Sequence, residues 1–173
     1  MVETPFPTTE SAIDQTTMSP RLVATLGAMF IAGAGATMAF DAWGQIISPA
    51  LGWATLSPHG LAQSLLGNLG LPNSNFAGYF VHFYLVGLLA YPLGWLVIFR
   101  PVWTAVTGDR PPWVVPALIY GFGLWGVAIG GVTVLAGLPA FLNFTGITWV
   151  ALIGHVLYGV VMVAILRLIG ADR

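Results

Sequence analysis

Three ionisable residues stand in or beside sequence that is otherwise apolar. His82 lies in the run Gly78 to Phe99, His155 in the run Ile147 to Leu168, and Asp41 near the end of the run Leu22 to Trp43. Ionisable groups inside a membrane are costly and by default mark function, with a partner to be named. Three chemistries suit these residue types. Each neutral imidazole can hydrogen-bond Thr, Tyr or a carbonyl across a helical bundle, a contribution of about 1 kcal/mol that needs no cofactor. His82 and His155 can instead ligate a haem b iron axially, which requires small residues where the macrocycle packs; Gly78, Ala151 and Gly159 stand four residues from one or other histidine. Asp41, His82 and His155 together can hold a metal ion with open positions, or a proton.

The motifs that would announce an enzyme are missing. The sequence has no HExxH, no Glu-x-x-His set for a di-iron site, no phosphate loop and no Ser/His/Asp arrangement, so catalysis is not expected. Cysteine is absent, which removes disulfides, thiolate metal sites and c-type haem attachment. The net charge is −1 and no basic cluster could track a phosphate backbone, so no nucleic-acid partner is expected.

What must position the three residues is a bundle of membrane-spanning helices. The chain has 173 residues, 57% hydrophobic and 6% charged, with a mean hydropathy of +0.87. A soluble domain carries about a quarter of charged residues, so lipid must serve as the solvent. Runs of the roughly 20 apolar residues that cross a hydrocarbon core lie at Leu22 to Trp43, Gly78 to Phe99, Val114 to Ala136 and Ile147 to Leu168. The expected fold is an all-α membrane protein, one four-helix domain over residues 21–173 preceded by a flexible cytoplasmic tail over residues 1–20. Ala34-Gly35-Ala36 mimics a signal-cleavage site, but the basic stretch a secretory signal needs is missing before it.

Local signals refine the spans. Ala24, Ala28, Ala32 and Ala36 recur every four residues, and Gly126 with Gly130 forms a GxxxG step; both are surfaces on which helices approach closely. Asp41 is expected to close the first helix. Pro92, inside the second, deprives the carbonyl of Leu88 of its helical partner and predicts a kink. Between these spans, Ser57 as N-cap, Pro58 at the first position, leucines at 61, 65, 66 and 69 and a terminating Gly70 predict a short amphipathic helix that covers the mouth of the bundle. His59, in its first turn, is expected to face solvent.

All five basic residues, Arg21, Arg100, Arg110, Arg167 and Arg173, fall on one side of a four-span topology. By the positive-inside rule both termini are cytoplasmic and the protein is a multi-pass protein of a bacterial inner membrane, with Trp95 and Trp113 at the inner interface and Trp43, Trp53 and Trp149 at the outer one. The spans also pair as two tandem hairpins: Gly35-Ala36-Thr37 corresponds to Gly131-Val132-Thr133 and His82 to His155, the pattern of a parallel repeat. This arrangement, with Gly154-His155-Val156-Leu157-Tyr158-Gly159 as its clearest motif, resembles uncharacterised bacterial four-span inner-membrane families; the resemblance implies the spans and no activity.

The function these features suggest is that of a non-enzymatic accessory or interaction subunit of a larger membrane assembly, meeting a membrane-protein partner or its own copies through the small-residue faces. A haem- or metal-binding electron-transfer protein using His82 and His155 is the alternative. A small-solute or proton transporter is a further one.

Overall fold

The computed structural model describes residues 19–172, so the predicted tail, apart from its last two residues, and Arg173 lie outside the described residues. The protein is an all-α membrane protein. Helix α1 (Pro20–Ala50) is followed by α2 (Pro58–Asn68), α3 (Asn75–Thr107), α4 (Val114–Leu135) and α5 (Gly146–Leu168), and all but α2 are long and apolar enough to cross a membrane.

Two spans run further than the sequence predicts. Asp41 does not close α1, because Gln45 one turn later donates to its carboxylate oxygen at 2.9 Å; each polar side chain satisfies the other and the helix continues. Likewise α3 does not end at Arg100. It stops where Gly108 takes the left-handed conformation, φ 61°, and its N–H bonds the carbonyl of Thr104 at 2.9 Å.

Helix α5 lies along both α1 and α4, and α3 flanks α1. Glycines make these crossings close. A Cβ added to Gly121 would lie 2.6 Å from the His155 carbonyl oxygen, one on Gly159 would lie 2.7 Å from that of Ala117, and one on Gly33 would lie 2.6 Å from that of Gly87. The alanine ridge is spent inside this chain: Ala28, Ala32 and Ala36 are buried, and Ala24 alone remains exposed. In the GxxxG step Gly130 receives the ring of Phe141, while Gly126 faces open space.

Around Pro92 the hydrogen bonding differs from the regular α-helical pattern on which the predicted kink rests. Over Phe80–Ala90 the helix has wide turns bonded from each carbonyl to the fifth residue on, and Tyr91 N–H meets the carbonyl of Val86. In that register Pro92 deprives Gly87, rather than Leu88, of its partner. The Tyr158 hydroxyl supplies the missing bond by donating to the Gly87 carbonyl at 2.5 Å.

The hairpin correspondence is local. Thr37 and Thr133 are both buried and each donates to the carbonyl four residues back, Gly33 at 2.8 Å and Ile129 at 2.5 Å. A twofold would also require α3 to lie along α4 as α1 lies along α5. Among the described residues that packing is missing, and α3 and α4 meet through Tyr120, whose hydroxyl donates to the Tyr91 carbonyl at 2.5 Å. The gap so left is the site described below.

Helix α2 lies across the bundle end as expected. The Leu56 N–H bonds the Gly44 carbonyl at 2.9 Å, and Asn68 donates to the Leu135 carbonyl at 2.8 Å, which ties the far end of α2 to α4. Pro58 opens the helix, although the Ser57 side chain makes no capping bond. Gly70, φ 71°, turns the chain out of it. His59 does not face solvent: its ring stacks on Tyr79 at 4.2 Å because Gly78 lets α2 approach α3 there.

The turn from α4 to α5 is left-handed over Phe141, Leu142, Asn143 and Phe144, with φ between 49° and 56°. Such a conformation costs roughly 1–2 kcal/mol per non-glycine residue. It is offset by the Phe141 ring on Gly130 and against Trp125, and by Thr148, whose hydroxyl donates to the Phe141 carbonyl.

Candidate functional site

A cavity of about 500 Å³ occupies the α2 end of the bundle. Its walls are Thr37 and Phe40 from α1, His82 to Tyr91 from α3, Ala128 to Val132 from α4 and Ile147 to Tyr158 from α5; Leu61 and Leu65 of α2 form the roof. The lining is chiefly apolar with a few polar side chains turned inward, which is the composition of a small-molecule site.

The structure brings Asp41 and His82 together and keeps His155 apart from them. His82 Nε2 donates to Asp41 Oδ1 at 2.9 Å, and Gln45 donates to the same oxygen at 2.9 Å. The carboxylate therefore holds the imidazole with its Nε2–H donating, and Nδ1 makes no hydrogen bond among the described residues. His155 is oriented by its own helix: Nδ1 lies 2.7 Å from the Ala151 carbonyl oxygen. A carbonyl can only accept, so Nδ1 carries the hydrogen and a neutral ring presents Nε2 as an acceptor. Phe40 packs against both rings, with centroids 5.0 Å from His155 and 6.0 Å from His82.

This geometry bears on the metal and haem chemistries. Among the described residues no three His, Asp or Glu side chains converge as a metal centre requires. Of the two imidazoles one is engaged by Asp41, and the Phe40 ring packs against both. What the site can do is hold a largely apolar molecule and hydrogen-bond a polar group on it.

One contributor escapes sequence reasoning. Tyr91 stands nine residues beyond His82, about two and a half turns of a regular helix and thus the opposite face; the widened turns of Phe80–Ala90 bring it round to the same cavity. Tyr158 follows His155 by three residues in the sequence, and its bond to Gly87 follows from the shifted register. The ring centroids of Tyr91 lie 5.2 Å from Tyr158 and 6.3 Å from His155. Tyr79 and Tyr84, the other tyrosines near His82 in sequence, are exposed on α3.

A second polar cluster, unforeseen, lies at the opposite end. Asp172 is buried and accepts from Arg100 Nε at 3.1 Å and from Trp95 Nε1 at 3.3 Å. Trp95 is consequently a core residue, not part of an aromatic belt. Arg100 also pairs with Asp109.

No protein-family model matches the chain, and no curated protein or solved structure matches it.

Proposed function

We propose that the protein is a non-enzymatic integral membrane protein that takes an apolar molecule into the cavity beneath α2. The observation that carries the reading is the cavity itself: about 500 Å³, chiefly apolar, roofed by a helix anchored at both ends, and lined by oriented polar side chains. Binding fits better than transport, because Trp95, Tyr120, Met162 and Leu166 fill the other half of the bundle. The test is native mass spectrometry of the protein released from nanodiscs. A bound apolar molecule is expected, and it should be lost in Val132→Phe, which places a ring in the cavity. An empty wild-type protein whose spectrum Val132→Phe leaves unchanged would overturn the reading.

We further assign both termini and the α3–α4 connection to the cytoplasmic side of a bacterial inner membrane. Arg21, Arg100, Arg110 and Arg167 belong to that end of the bundle, and α2 belongs to the other. A Gly108→Cys variant should be labelled by a membrane-impermeant maleimide only after the cytoplasmic side is opened; labelling of intact spheroplasts would reverse the orientation.

A second reading, an accessory subunit of a larger membrane assembly, is favoured by one observation. On α4 a Cβ added to Gly123, Gly126 or Gly131 would meet nothing within 4 Å, so a helix face fit for close approach is left without an internal partner. The alanine ridge of α1 does not support this reading, because it is buried within the chain.

A further inference from the structure

We infer that the molecule held in the cavity is a neutral, lipid-like compound with a hydroxyl head, and that the head is bound by His155 Nε2 and the Tyr91 hydroxyl. The inference rests on the cavity-binding reading and names the chemistry of its ligand. Thr37 and Tyr158 also line the cavity, but their hydroxyls are already committed to the carbonyls of Gly33 and Gly87. His155 Nε2 and the Tyr91 hydroxyl make no hydrogen bond among the described residues. Neither is sealed in protein, whereas the two sealed and unpartnered side-chain atoms, His59 Nδ1 and Trp103 Nε1, lie on side chains outside this lining. Both groups are thus open to the cavity, where a ligand can supply the hydrogen bond that no side chain supplies.

The two groups ask for complementary functions on one head. With Nδ1–H fixed on the Ala151 carbonyl, a neutral His155 offers only an acceptor at Nε2, which selects a donor. The Tyr91 hydroxyl can donate to the oxygen of the same group, and the two rings are neighbours, 6.3 Å between centroids. A hydroxyl satisfies both. A carboxylate or phosphate head does not: it cannot donate when fully ionised, no arginine or lysine among the described residues lines the cavity, and the Asp41 carboxylate is bonded to His82. A hydrocarbon would leave both groups unpaired.

Access follows from the packing. The cavity wall least closed by helix packing is the one between α3 and α4, lined by Val81 and Val86 on one side and by Ala128 and Val132 on the other. That wall borders the hydrocarbon of the leaflet on the α2 side, so the ligand reaches the site from within the bilayer. Membrane compounds that carry this head on an apolar body include long-chain or prenyl alcohols and alkylated hydroquinones.

The test uses the full chain in phosphatidylcholine nanodiscs and a diazirine-bearing dodecanol as photoprobe, with labelled residues mapped by mass spectrometry. Saturable labelling is expected on the segments around Val86 and Val132. Farnesol or decylhydroquinone in tenfold excess should compete, and whichever does names the source of the head, while dodecanoate and dodecane should not compete. Tyr91→Phe, which removes a single oxygen, and His155→Leu should each weaken probe binding about fivefold, the size of one hydrogen bond. Equal competition by dodecane or dodecanoate, or full binding in Tyr91→Phe, would overturn the hydroxyl-head inference while leaving an apolar site in place. Labelling that is not saturable with any competitor would overturn both.

Discussion

Gly121→Leu is expected to destabilise the protein by at least about 3 kcal/mol, the upper end of what overpacking a core costs. At this position even a Cβ would lie 2.6 Å from the His155 carbonyl oxygen and 2.6 Å from Val156 Cα. Both are backbone atoms of α5, which cannot swing aside as a side-chain terminus can, so the two helices must separate. Because α5 also lies along α1, separation from α4 disturbs the central contact of the bundle and carries His155 with it. The comparison that isolates the cause is Gly123→Leu, two residues away on the same helix, where a Cβ meets nothing within 4 Å. That change should move stability by no more than about 0.5 kcal/mol. Thermal unfolding in detergent, followed by size-exclusion chromatography, reads both. Equal behaviour of the two variants would mean that α4 and α5 do not cross at Gly121. If Gly123→Leu is silent in the isolated protein yet removes a co-purifying partner, the accessory reading gains its support.

The second large effect is expected at the opposite end, in Arg100→Met. Asp172 has a side chain only 4% exposed and is held by Arg100 Nε at 3.1 Å, by Trp95 Nε1 at 3.3 Å and by Arg167 at 3.9 Å. Removing one partner of a buried pair strands the other charge, at a cost of about 3–5 kcal/mol where nothing replaces it. Here Arg167 remains nearby and Arg100 is 20% exposed, so about 2 kcal/mol is the expected loss. The double variant Arg100→Met/Asp172→Leu should recover most of it, because the stranded carboxylate is gone. Arg110→Met, whose exposed side chain makes no ion pair among the described residues, should do little. Should the double variant be no more stable than Arg100→Met, the loss would come from packing of the arginine stem and not from the charge.

The candidate site was legible in part. Asp41, His82 and His155 attract attention because ionisable residues are rare in apolar runs, and all three reappear at or beside the cavity. Their relations were not legible. The helix that Asp41 seemed to end continues because Gln45 satisfies it, and Asp41 then meets His82 41 residues on, a pairing set by how α1 lies on α3. Phe40, one apolar residue among many in its run, packs against both imidazoles.

By itself the sequence determined the number and approximate place of the spans, the all-α class and the α2 helix with its proline start and glycine stop. These depend on local quantities: the length of an apolar run, leucines at helical spacing, a residue able to take positive φ. The tertiary structure alone decided which faces the helices spend on one another. The alanine ridge turned inward, Trp95 left the interface for the core, and Asp172 became a buried counter-ion, since each outcome depends on residues far away in the chain. Helix register was decided there too. Wide turns over Phe80–Ala90 shifted the carbonyl freed by Pro92 from Leu88 to Gly87 and brought Tyr91 round to the cavity. A regular helical period cannot foretell that, because the register is held by Tyr158 and Thr37 from other helices, against whose backbones and side chains the widened segment packs.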